Sequence, residues 1–240
     1  MEEKDMTTEA PANPDSSSPA SEDPLKAAIP YAAPMILFLV LTYAEGKIEG
    51  FYPLAYTLKV AIVTGALLYF RRAWQHEIRM EAKVLLPAVG IGLVTLAEWI
   101  LLDKWIPYPA LGTRTGYNPL TEIPDPLWRN LFLGVRFYGL ALLVPVMEEI
   151  FWRSFLLRYV TDMDRWKTLP VGTFSVLAFV VVAALFALAH PEWLVAAICA
   201  MLYAGLLFWT RSLFAVILAH AVTNFGLGIY VLLTGEWKYW

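Results

Sequence analysis

The chain has 240 residues, of which 59% are hydrophobic and 16% charged, with a formal net charge of −3. A soluble domain is roughly 45–50% apolar and about 25% charged, so an ordinary water-soluble fold is excluded and a bilayer is the solvent to reason from. Basic residues scattered among apolar segments leave no footprint for nucleic acid.

The first two dozen residues, MEEKDMTTEAPANPDSSSPASEDP, are acidic and nearly free of large apolar side chains. Such a segment does not bury enough surface to offset the entropy of ordering, which predicts a disordered tail over residues 1–26 and one integral membrane domain over 27–240. The tail lacks the charged-then-apolar pattern of a cleavable signal, so the first apolar run reads as a retained anchor.

Long apolar runs then alternate with short polar links, at 29–44, 54–70, 84–102, 131–159, 174–190, 194–209 and 213–233. Lipid offers no partner to exposed backbone groups, so each run should be helical. The expectation is an all-α, polytopic transmembrane bundle of seven to eight helices. The eighth would arise if the fourth run, longer than the roughly 20 residues a bilayer needs, breaks near Pro145. The link from Asp103 to Trp128 contains five prolines and reads as a surface or re-entrant loop.

Arg71, Arg72, Arg79 and Lys83 follow the second run, and Arg158, Arg165 and Lys167 follow the fourth. The positive-inside rule places both links and the N-terminus in the cytoplasm. In the first three runs, Glu45 and Glu98 read as interfacial and Lys59 as a snorkelling cation. The single cysteine, Cys199, forms no internal disulfide and reads as packed or lipid-facing. Trp99, Trp105, Trp128, Trp166 and Trp209 suit an interfacial aromatic belt.

The polar residues that hydropathy does not explain are concentrated in the C-terminal half. In PVMEEIFWRSF, Glu149 and Arg153 are four apart and can pair on one helix face, with a structural ion pair as the plain reading. Glu148 points about 100° away and needs a partner from another helix. His190 ends the run FALAH, and His220 lies one turn before Asn224 in HAVTN. Both imidazoles are candidates to meet Glu148, although interhelical hydrogen bonding alone would also account for His220 and Asn224. His76 sits in a basic link and reads as an interfacial residue. An intramembrane carboxylate beside two imidazoles is a functional hypothesis by default. One carboxylate and one imidazole can deprotonate a water, while the other imidazole and an amide N–H stabilise the oxyanion of an attacked carbonyl. That chemistry is peptide hydrolysis. No nucleophile elbow, zinc-protease helix or phosphate loop is present.

In order and spacing, Glu148-Glu149…Arg153, Phe186…His190 and His220…Asn224 resemble the EExxxR, FxxxH and HxxxN motifs of the CAAX protease and bacteriocin-processing (CPBP/Abi) family of intramembrane proteases. The length and the Trp-rich ending GEWKYW point to its exosortase-associated subgroup. The resemblance covers about residues 128–235. It implies that Glu148 and His190 activate water, that His220 and Asn224 form the oxyanion site, and that Glu149 and Arg153 support them. It also implies no cofactor, a prokaryotic plasma-membrane location, and a membrane-associated peptide or protein substrate, lipidated or belonging to a sorting system. Two other readings stay open. Glu148, His190 and His220 would also suit a zinc shell of a metalloprotease, and the same cavity would suit a non-catalytic immunity or scaffold protein.

Overall fold

A computed structural model describes residues 23–47, 50–112 and 116–240. Most of the expected disordered tail, residues 1–22, lies outside the described residues. Its last part is corrected: Asp23 accepts from the Leu25 backbone N–H and Pro24 takes the first helical position, so helix α1 already runs over Pro24–Glu45. An aspartate cap followed by proline is a strong start signal, since the cap satisfies an orphan donor and proline lacks one.

The remaining helices are α2 (Tyr52–Trp74), α3 (Leu85–Trp105), a single turn α4 (Pro119–Glu122), α5 (Pro126–Thr161), α6 (Val176–Leu188), α7 (Trp193–Thr210) and α8 (Leu213–Thr234). No strand occurs among the described residues. Six of these helices are long and apolar enough to cross a membrane, and α6, at 13 residues, is shorter. Large aliphatic side chains on the outer faces, such as Ile36, Val40, Leu68, Leu86 and Leu233, stand exposed, as a lipid-facing surface requires. The bundle is all-helical and polytopic.

The fourth run does not break at Pro145. It is one helical segment containing two wide π turns, Gly139–Leu143 and Ile150–Leu156. The first wide turn positions the site. In a plain α-helix, residues four apart drift by about 40° per step, so Arg136 and Glu148 would face about 120° apart. A π turn holds more residues per turn and takes this rotation back, and Arg136, Leu140, Val144 and Glu148 all line one cavity.

Glycine permits two close approaches. A Cβ on Gly92 of α3 would stand 2.6 Å from the Ala219 carbonyl oxygen of α8, and one on Gly139 would stand 2.2 Å from the Tyr56 hydroxyl of α2. The α3 seam Ala88, Gly92, Thr95, Trp99 is buried and packs against α8. Thr223 of α8 donates to the Gly92 carbonyl (2.8 Å) and receives from the Tyr203 hydroxyl of α7 (2.8 Å). This chain of bonds fixes three helices around the site, because a buried hydroxyl without a partner is costly.

Candidate active site

Glu149 is fully buried, and its Oε1 accepts from Arg153 Nη1 at 3.1 Å and from His220 Nδ1 at 2.8 Å. Arg153 is the partner that the spacing predicts, and the structure adds His220 from α8. Carboxylate oxygens only accept, so His220 Nδ1 is the donor and Nε2 is the nitrogen left for the cavity. The Arg153 guanidinium also lies 4.7 Å from the Phe186 ring centre, so the ion pair is enclosed by α6.

Glu148, one residue earlier, is buried but lines a cavity of about 760 Å³ together with His190, His220 and Asn224. The four sequence-predicted residues, from α5, the turn after α6, and α8, all line this cavity. His190 is held by its Nδ1, 2.8 Å from the Phe186 carbonyl oxygen, and by stacking on the Phe186 ring at 4.6 Å. A carbonyl accepts, so Nδ1 carries the hydrogen and a neutral ring has its lone pair on Nε2. Asn224 Nδ2 donates to the Leu140 carbonyl (2.8 Å) inside the first π turn of α5. One Nδ2 hydrogen remains for another acceptor.

On straight membrane-spanning helices, His190 and His220 would sit at different depths. The length of α6 differs from that expectation: at 13 residues it rises about 20 Å, against roughly 30 Å for a hydrocarbon core, so it does not have to carry His190 to the membrane surface. The Asp103–Trp128 link closes over this turn, with Leu111 N–H donating to the Pro191 carbonyl (2.9 Å) and Trp193 Nε1 to that of Pro109 (2.8 Å).

Three expectations from the N-terminal half need correction. Glu45 and Lys59 are neither interfacial nor snorkelling. Both are buried, they form an ion pair, and both line the cavity. Glu98 has both carboxyl oxygens buried instead of facing an interface. Trp99 also lines the cavity with its ring against His190, so it is a wall residue and no belt residue. Cys199 is buried and reaches the same cavity. Arg136, which hydropathy had absorbed into the fourth run, is a lining residue that the sequence signalled only as a cation inside an apolar stretch. Among the described residues, no three His, Cys, Asp or Glu side chains are grouped to hold a metal ion.

No curated protein and no solved structure matches the chain. Residues 130–226 match the family model described as type II CAAX prenyl endopeptidase Rce1-like. That segment runs from α5 into α8 and contains Glu148, Glu149, Arg153, His190, His220 and Asn224. Residues 130–226 are thus similar to the Rce1-like type II CAAX prenyl endopeptidases, within an integral membrane protein.

Proposed function

We propose that the protein is an intramembrane endopeptidase of the glutamate type, acting on a membrane-associated peptide or protein. The observation that carries this reading is that Glu148, His190, His220 and Asn224, drawn from distant parts of the chain, line a single cavity. A water held between Glu148 and His190 Nε2 gives up a proton to the carboxylate as its oxygen bonds to the scissile carbonyl carbon. The carbonyl oxygen gains negative charge and takes hydrogen bonds from the free Asn224 Nδ2–H and from Nε2–H of a protonated His220, whose counter-charge is Glu149. The C–N bond then breaks as Glu148 returns the proton to the leaving amine. Arg153 and Glu149 are positioning residues, since they reach the substrate only through His220.

The test is turnover of fluorogenic peptides carrying S-farnesylcysteine, presented in liposomes with the purified protein. Glu148→Gln keeps the side-chain shape and removes the base, so the rate should fall about 10²-fold or more with the folded state preserved. Turnover of the unaltered protein should survive exhaustive chelation. Equal rates for the two proteins would defeat the catalytic assignment, and loss on chelation with recovery on added zinc would replace water activation by Glu148 with a metal.

A further inference from the structure

Besides Glu148, the charged residues lining the cavity are Lys59, Arg136 and Glu45, two cations and one carboxylate. Lys59 Nζ lies 4.9 Å and the Arg136 guanidinium 4.5 Å from the centre of the same Tyr56 ring. Two cations thus lie against one buried ring. A single carboxylate, Glu45, pairs with Lys59, whose Nζ also donates to Thr42 Oγ1 at 3.2 Å. Arg136 has no such partner among the described residues. Its Nε is buried with no hydrogen-bond partner, and its guanidinium lies between the rings of Tyr56 and Trp240, 5.4 Å from the latter. Rings hold a cation by their quadrupole without neutralising it. A guanidinium is permanently charged, and its planar fork matches a carboxylate. Against buried rings, a cation without a carboxylate partner of its own favours a ligand that brings negative charge.

We propose that Arg136, supported by Lys59 and framed by Tyr56 and Trp240, binds a carboxylate of the peptide substrate. The proposal rests on the hydrolase reading and deepens it. Arg136 and Glu148 are twelve residues apart on α5 and face the same cavity, a rise of roughly 18 Å. An extended peptide covers about 3.3–3.6 Å per residue. For an extended peptide, the carboxylate subsite therefore sets the cut bond about five residues from the anchoring group. Arg136 is a specificity-determining residue, and the carboxylate has two sources, the C-terminus of the peptide or an acidic side chain.

The test is equilibrium binding to the full chain carrying Glu148→Gln, which removes cutting from the measurement. The probes are three matched pools of apolar hexapeptides: a free C-terminal acid, a C-terminal carboxamide, and a carboxamide with one internal glutamate. At least one carboxylate pool should bind about tenfold more tightly than the plain carboxamide pool, and whichever does so names the source. Adding Arg136→Gln should abolish the difference, while Arg136→Lys, which keeps the charge, should preserve most of it. Thermal unfolding in detergent checks that both variants are folded, and if Arg136→Gln is not, the lysine variant and the pool comparison decide. Equal binding of all three pools, absence of binding, or a preference that survives Arg136→Gln overturns the proposal. Any of these leaves the hydrolase reading standing, because that reading is tested by turnover of the unaltered protein.

Discussion

Glu149 and Arg153 show why one buried charge needs several partners. Glu149 is fully enclosed, and its charge is tolerated because Arg153 and His220 both bond its Oε1. Removing one partner of a buried pair strands the other, at a cost of about 3–5 kcal/mol. Arg153→Ala should therefore lower the unfolding temperature in detergent and reduce yield. A well-expressed Arg153→Ala protein with an unchanged melting curve would contradict this account. At this scale the sequence was most informative where a charge interrupts an apolar run at helical spacing, as with Glu148, Glu149 and Arg153. It was least informative for Glu45 and Lys59. Each lies near the end of an apolar run, where an interfacial position is the ordinary expectation. Their pairing joins α1 to α2 across a connection whose course local pattern does not determine. His220 is an intermediate case: its type and spacing were legible, whereas its bond to Glu149 depends on how α8 meets α5.

The element scale turns on two departures from regular helix. The π turn over Gly139–Leu143 brings Arg136 and Glu148 to one cavity and uses the Leu140 carbonyl to hold Asn224. No residue pattern announces such a turn, since Gly139-Leu-Ala-Leu-Leu also suits an α-helix. The short α6 was read as a full span because its flanking residues are apolar too. Ser175 caps its start by accepting from the Ala178 N–H at 3.3 Å, and Pro191 prevents its continuation. The α3–α8 seam depends on Gly92, where an added Cβ would stand 2.6 Å from a backbone oxygen and 2.8 Å from Val222 Cβ. Backbone does not swing aside as a side chain can, so Gly92→Ala must push α8 outward. The expected loss is about 1–3 kcal/mol of stability, with a larger fall in turnover than in substrate binding. His220 and Asn224 ride on α8, whereas most of the cavity wall does not. Comparing kcat and KM of Gly92→Ala checks this split, and unchanged kcat would show that the seam does not set the oxyanion geometry.

Across the whole molecule, the family match stops at residues 130–226, yet the cavity does not. Met35, Phe38 and Thr42 of α1 and Tyr56 and Lys59 of α2 form part of its wall. What fastens these helices to the matched domain is a buried polar cluster far from the motifs in sequence. Glu77 Oε1, just past α2, accepts from the Tyr31 hydroxyl of α1 (2.9 Å) and from Arg158 Nη2 of α5 (2.8 Å), while its Oε2 accepts from Ser154. Arg158 Nη1 also donates to the Leu169 carbonyl at 3.1 Å. The sequence showed Arg158 only as a loop cation and did not mark Glu77 at all, because a cluster built from three helices has no local signature. Arg158 is buried, so Glu77→Ala strands its charge and removes a group that bonds both α1 and α5. Stability should fall by about 3–5 kcal/mol, and hydrogen exchange should rise first in α1, where Tyr31 loses an acceptor, before it rises in α8. Turnover should fall with it, because loosening α1 and α2 moves the wall that holds the substrate while Glu148, His190, His220 and Asn224 keep their own contacts. If exchange in α1 stays at its original level in Glu77→Ala, the N-terminal layer is held by apolar packing alone and this cluster does not join it to the matched domain.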